Sequence, residues 1–397
     1  MASNVQRADG RVQIEGVPEK QVGWGWDAIL RGLQIILEYR GNSVSLDELM
    51  AYGGDAFNLC HGSHWQDVAY LMVPTNPVAN IAAAYGYEYG CVHNGFGAQK
   101  MDKLDLPDRE KETAAILERI WSEIDAERPV LVGGCTDQGC GVWSVVVDYD
   151  RDKWAMGHVG LGNGPRWIRV RGFEGHPDYG EDIVGMWNGR FRGTVRENFV
   201  GGWQVNPAYL LGKKTDAPSR EERVAAALER AVEMFEAPKY SIGWWGGVDY
   251  HFGREAYEKW AEDLSALDYP ADLERELPGD AYDWYRMGNM DTQVDQVVRV
   301  RSAAATFCDS AAEVFPDAAG DLVSAAEAYR QEVAIAREVF EAFIPAYDGN
   351  DAPRVAWLST ETEREAGAQA IRRMLEHERE AIGHIRSALR VMAESQP

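Results

Sequence analysis

The chain has 397 residues, 45% of them hydrophobic, with 64 acidic against 40 basic side chains and a formal net charge of −24. That apolar share excludes global disorder, and the length calls for two domains or one domain with a large helical extension. The acidity argues against nucleic acid and anionic membranes as partners, because both are met by a basic footprint.

The first sixteen residues are polar and lack the apolar core of a secretory signal. No run of about 18 apolar residues suggests a membrane span. Five scattered cysteines without a CxxC pair fit a reducing, cytoplasmic setting better than a disulfide scaffold.

Residues 27–39 read as a helix, with Ile29, Leu30, Leu33, Ile36 and Leu37 at helical spacing and Gly41 just beyond its end. Ser45 and Glu48 have the spacing of a capping box for a short second helix. "KETAAILERIWSEIDAERPVLVGG" reads as a helix followed by a strand at 129–132, and "VWSVVVDYDRDKWAMGHVG" as two strands joined by a turn at Asp150–Asp152. Residues 155–205 suggest further strands and long loops. "GKKTDAPSR" near 212–220 has the composition of a domain junction. Beyond it, Ser219 with Glu222 caps a helix carrying Val224, Leu228, Ala231, Val232 and Phe235 on one face. The last helix is expected to start at a Thr360/Glu363 cap, and its stripe of Ile371, Leu375, Ile382, Ile385, Leu389 and Met392 reads as core packing. The expected fold is α+β over residues 1–212, followed by a mostly helical domain over 213–397.

Gln21 lies six residues before Asp27, across a turn containing Trp24 and Trp26. "QVGWGWDAILRGLQIILEYRG", "LMAYGGDAFNLCHGSHW", "ERPVLVGG", "VWSVVVDYDRD" and "GREAYEKWAEDL" follow one another along the chain. In this order they resemble the bacterial branch of the papain-like cysteine peptidase superfamily. That branch includes double-glycine leader peptidase-like proteins and the N-terminal domain of butirosin biosynthesis protein H. The resemblance covers roughly residues 15–265 and implies a papain-like α+β domain. It implies an oxyanion role for Gln21 and places Asp27 where the nucleophilic cysteine stands. The base position falls on Val142 or Trp143, and the orienting position at or near His158. Two of the three catalytic roles are therefore absent in their usual form, and Cys–His hydrolysis at these positions is not available.

Asp27 has two readings. It is an N-cap residue, gaining about 0.3–1 kcal/mol from the helix macrodipole, or it is a functional carboxylate that orients His158 as a base in an exchanged dyad. "CHGSHWQD" places Cys60, His61 and His64 close together. They fit the rim of a pocket better than a metal centre, which needs three or four ligands. Cys135 and Cys140 in "GGCTDQGCG" are candidates for a displaced nucleophile, against a plain loop. Many of the 14 Trp adjoin Gly, which suits tight loops, so Trp24, Trp26 and Trp143 are candidate walls of a cleft. An acidic, Trp-lined cleft would favour a cation through cation–π attraction, and it would equally suit a sugar or an aromatic ring. Asp55 joins His61, His64 and these Trp as candidate ligand contacts.

The leading expectation is a diverged papain-like pseudoenzyme that binds a small cationic or aromatic ligand, with no cofactor and no metal. The first rival is a hydrolase, lyase or acyltransferase acting on an amide, ester or carrier-bound acyl group through Asp27 and a cleft histidine. The second is a scaffold that forms a homo-oligomer through the helical domain.

Overall fold

The computed structural model describes residues 4–8, 10–22, 27–62, 74–93, 106–133, 143–152, 155–160, 166–169, 208–242, 248–267, 281–344 and 352–395. In chain order these form β1 (Val5–Ala8), β2 (Arg11–Ile14), α1 (Ala28–Tyr39), α2 (Leu46–Gly53), β3 (Cys60–Gly62), α3 (Pro77–Ala84) and β4 (Tyr87–His93). Then come α4 (Leu106–Asp125), β5 (Val130–Gly133), β6 (Trp143–Asp150), β7 (Ala155–Val159), β8 (Arg166–Arg169) and β9 (Ala208–Lys214). The remainder is α5 (Arg220–Phe235), β10 (Tyr240–Ile242), β11 (Val248–Phe252), α6 (Gly253–Ala266), α7 (Ala281–Val314), α8 (Ala319–Val339), α9 (Ala352–Ser359) and α10 (Glu361–Glu394). The mixture of helices and antiparallel sheet is an α+β fold.

The chain divides into two compact units. One comprises residues 1–46 and 81–217, the other residues 47–80 and 218–397. The composition change near 212–220 lies close to the break at 217/218. The assignment of 47–80 to the C-terminal unit has no counterpart in the sequence-based division at 212/213.

The first unit is built on an antiparallel sheet in the order β1-β2-β6-β5-β9-β4, with β7 also on β6 and β8 on β7. Every residue of β6 is buried, as its run of β-branched side chains suggests. Opposed residues of an antiparallel pair share a face, and faces alternate along a strand. The register Val130↔Val146 and Val132↔Ser144 therefore sets Val130, Val132, Ser144 and Val146 on one face. That face packs with Ile116, Leu117, Ile120, Trp121 and Ile124 of α4. Leu131 pairs with Val145 and with Tyr209, so these three belong to the opposite face. α1 lies on that second face. A methyl group at Gly32 would fall 2.4 Å from Leu131 Cδ1, so the helix approaches the sheet closely at this glycine, and a larger residue would require Leu131 to shift.

The second unit holds the small sheet β10-β11-β3 and the long helices. The region after 219, expected to be mostly helical, also carries two short strands of this sheet. Its core joins Tyr257, Trp260 and Leu264 of α6 to Val294 and Val297 of α7, and to Ile371 and Leu375 of α10. Trp260 stacks on Phe340 at 5.8 Å between ring centres, and Phe340 meets Trp357 at 5.6 Å. Each large apolar side chain buried in this way contributes about 1.5–3 kcal/mol. The Ser219–Glu222 capping box is formed in both directions. The expected Thr360 cap is not. Its hydroxyl donates to the Ala356 carbonyl at 2.9 Å and leaves the start of α10 without a side-chain cap. The physical reason is competition, because the last turn of α9 offers a carbonyl within reach of the same hydroxyl.

Candidate functional site

Asp27 precedes α1 with helical backbone angles and is 6% exposed. Its side chain makes no capping hydrogen bond. Instead Asp27 Oδ2 accepts from Arg31 Nε at 2.9 Å, one helical turn on. Gln21 is exposed. Trp24, Trp26, His64, Cys135, Cys140 and Val142 lie outside the described residues.

Trp143 occupies the sheet face on which α1 packs. It is 5% exposed and stacks on Tyr209, with centroids 5.8 Å apart and planes 13° from parallel. It is a core residue. His158 sits on the other face, opposite Val146 and diagonal to Ser144. Ser144 Oγ and His158 Nδ1 are 2.8 Å apart, and both residues are fully buried. Burial pushes His158 down to about 3, which leaves the ring neutral. No charged group contributes to that shift, and the His158 Nε2 atom has no hydrogen-bond partner. The structure therefore does not bring Asp27 and His158 together. The parity of β6 and β7 turns the imidazole toward α4 and away from α1.

A different histidine acquires a carboxylate partner. His61 lies on β3 opposite His251 of β11 and is 1% exposed. Its Nε2 is 2.9 Å from Asp263 Oδ2, and its Nδ1 meets the Gln293 side-chain amide. Asp263 also receives Lys259 Nζ at 2.9 Å. A carboxylate only accepts, so the network assigns the ring proton to Nε2 and makes Nδ1 an acceptor. Gln293 must then turn its NH₂ toward the ring. Burial holds His61 below the usual imidazole range despite Asp263, so it is neutral. Burial acts to raise Asp263, but the bonds from His61 and Lys259 prevail and hold it below the usual carboxylate range.

The segment leading to His61 is held along α7 by side-chain donors. Arg301 Nη1 donates to the Ala56 carbonyl at 2.9 Å, and Gln296 Nε2 to the Asn58 carbonyl at 3.1 Å. With their NH₂ ends committed, Gln293 and Gln296 retain free amide oxygens at 2% and 1% residue exposure. Gln293 Oε1, Gln296 Oε1 and Asn58 Oδ1 are buried and accept no hydrogen bond. Nearby in sequence, the Asp55 carboxyl is pushed up to about 7 by burial, against its own backbone hydrogen bond and Arg230, and its Oδ2 is likewise unpaired. Among the described residues no group of three His, Cys, Asp or Glu side chains is arranged to hold a metal.

No family model matches this chain, and no curated protein matches it.

Of the residues that build this site, Asp263, Asn58, Gln293 and Gln296 carry signals too faint to single out in sequence. Asp263 lies in "GREAYEKWAEDL", four residues after Lys259. The two glutamines recur three apart in "TQVDQVVRV", polar residues on a helix face that is otherwise apolar.

Proposed function

We propose that this chain is a diverged papain-like protein that binds a small cationic ligand bearing N–H donors, without ancestral Cys–His chemistry. The observation that carries the reading is the set of three buried acceptors without a hydrogen-bond partner among the described residues, at Asn58, Gln293 and Gln296, on the two segments that carry and contact His61. Leaving such an acceptor unpaired costs about 1–3 kcal/mol, and a ligand that donates recovers that energy on binding. An anion gains nothing there. The net charge of −24 adds a long-range attraction for cations. An amphipathic helix packed on an antiparallel sheet, with residue 27 at its N-terminal end, supports papain-like ancestry. The Asp27–Arg31 pair and the Trp143–Tyr209 stack support the loss of the ancestral chemistry.

The test is calorimetric titration of the full chain with methylammonium and putrescine, against tetramethylammonium, which has the charge but no N–H. Binding of the first two, weakened in Gln296→Met, is the expected result. Equal binding of tetramethylammonium, or no binding of either amine, refutes the reading.

The His61–Asp263 pair favours a second reading, an enzyme in which Asp263 orients His61 as a general base. The reaction would be hydrolysis, elimination or acyl transfer on an amide, ester or carrier-bound acyl group. Gln293 would have to release Nδ1 to the substrate. Acyl-probe labelling that disappears in His61→Ala supports this reading, and its persistence removes His61 from the mechanism.

A further inference from the structure

Four helices of the second unit converge on a cluster of charged and phenolic side chains. Tyr257 comes from α6, Arg301 from α7, Tyr329 and Glu332 from α8, and Glu378 from α10, and none is more than 1% exposed. Arg301 Nε lies 2.8 Å from Glu378 Oε2 but 3.7 Å from Glu332 Oε2. The Tyr257 hydroxyl donates to Glu332 Oε2 and lies 3.2 Å from Glu378 Oε2. Arg301 Nε and Nη2 each lie 3.3 Å from that hydroxyl, and the guanidinium sits 5.6 Å from the Tyr329 ring centre. The two carboxyl groups meet at the same phenol, the Oε2 atom of each lying within hydrogen-bonding reach of the Tyr257 hydroxyl.

The cluster holds two acids and one cation. An uncompensated charge at this depth would be strongly destabilising, and two carboxylates in contact repel each other. A proton between them removes both problems. We propose that Glu332 and Glu378 hold a single proton, carried on Glu332, so that the cluster consists of Arg301 cation, Glu378 carboxylate and Glu332 carboxylic acid. The distances select the bearer, since the guanidinium lies against Glu378. Glu332 Oε1 is buried and accepts no hydrogen bond, so it is free to carry the hydrogen. Burial, then the neighbouring Glu378, drive Glu332 well above the usual carboxylate range, while Arg301 and Tyr257 oppose them. The other groups facing the pair keep their protons. Burial raises Tyr257 and Tyr329 well above the usual phenol range, and raises the Cys308 thiol as well.

The cluster is therefore a proton-binding site that ties α7, α8 and α10 together. A folded acid that holds its proton more tightly than the unfolded chain stabilises fully below the ordinary carboxylate range. That stability declines as pH rises toward the folded value, by about tenfold in the folding constant per pH unit.

The test combines infrared spectroscopy with urea unfolding of the full chain. The wild-type spectrum should show a protonated-carboxyl C=O band that persists well above pH 7, where the Asp55 carboxyl has ionised. The band should vanish in Glu332→Gln. That variant should match or exceed the wild-type urea midpoint at neutral pH and lose the decline that sets in above the ordinary carboxylate range. The double variant Glu332→Gln/Glu378→Gln should lose much of the midpoint, because Arg301 is left without a counterion. A wild-type spectrum with no such band at alkaline pH overturns the proposal. So does a Glu332→Gln variant as unstable as the double variant.

Discussion

Replacing Trp143 by alanine separates a tryptophan that fills a core from one that lines a ligand site. The indole is 5% exposed and lies nearly parallel to Tyr209. Truncating a buried aromatic to alanine costs about 3–5 kcal/mol, and the lost ring–ring contact adds about 0.5–1.5 kcal/mol. The expected total is about 4–6 kcal/mol, a large part of the stability of an ordinary domain. Hydrogen exchange at the amides of β5 and β6 reports the first unit without averaging over the second. Urea dependence of that exchange gives the free energy directly. A Tyr209→Ala partner variant closes a double-mutant cycle, in which the coupling should reach about 0.5–1.5 kcal/mol. A loss below about 1 kcal/mol for Trp143→Ala would refute the reasoning, since no well-packed buried indole is removed so cheaply.

Gly253→Ala should be severely destabilising. Its φ is +50°, and an added methyl would lie 2.4 Å from the Met234 carbonyl oxygen and 2.5 Å from Phe235 backbone atoms. Backbone strain and overlap together amount to about 3 kcal/mol, read as a lowered thermal midpoint. His158 titrates far below its unfolded value, so its contribution is complete above about pH 6.5 and is lost as pH falls toward about 3. A His158→Gln variant should flatten that acid limb of the urea midpoint. An unchanged limb would mean that His158 is protonated in the folded state. Ser219→Ala should lose about 1 kcal/mol with its capping box, whereas Thr360→Ala should lose clearly less, since Thr360 caps nothing. Equal losses in urea titrations would contradict that contrast.

What could be read from the sequence was local. The apolar spacing of α1, the β-branched run in β6, the turn before β7 and the stripe of α10 all depend on neighbours a few residues away. His158 was found as a residue, but its face was not, because one step of register along a strand reverses the side to which a side chain points. The site around His61 rests on partners far apart in the chain. Asp263 is 202 positions from His61, and Gln296 is 238 positions from the Asn58 carbonyl it binds. No periodicity within a window carries such information. The buried Arg301, Glu332 and Glu378 are ordinary helix residues in sequence, and only the meeting of three helices sets them against one another.

The two units are interleaved along the polypeptide, because residues 47–80 are spliced into the first while belonging to the second. Synthesis from the N-terminus delivers everything the first unit needs by residue 217, with 47–80 still awaiting its companions. That segment acquires the donors for Ala56, Asn58 and His61 only after α7 emerges. Cutting the chain at 217/218 would accordingly yield no pair of self-sufficient fragments. The C-terminal piece would lack β3 and the strip that seats α7, and could be made whole only by complementation in trans or by a permuted gene that restores 47–80 to its own unit.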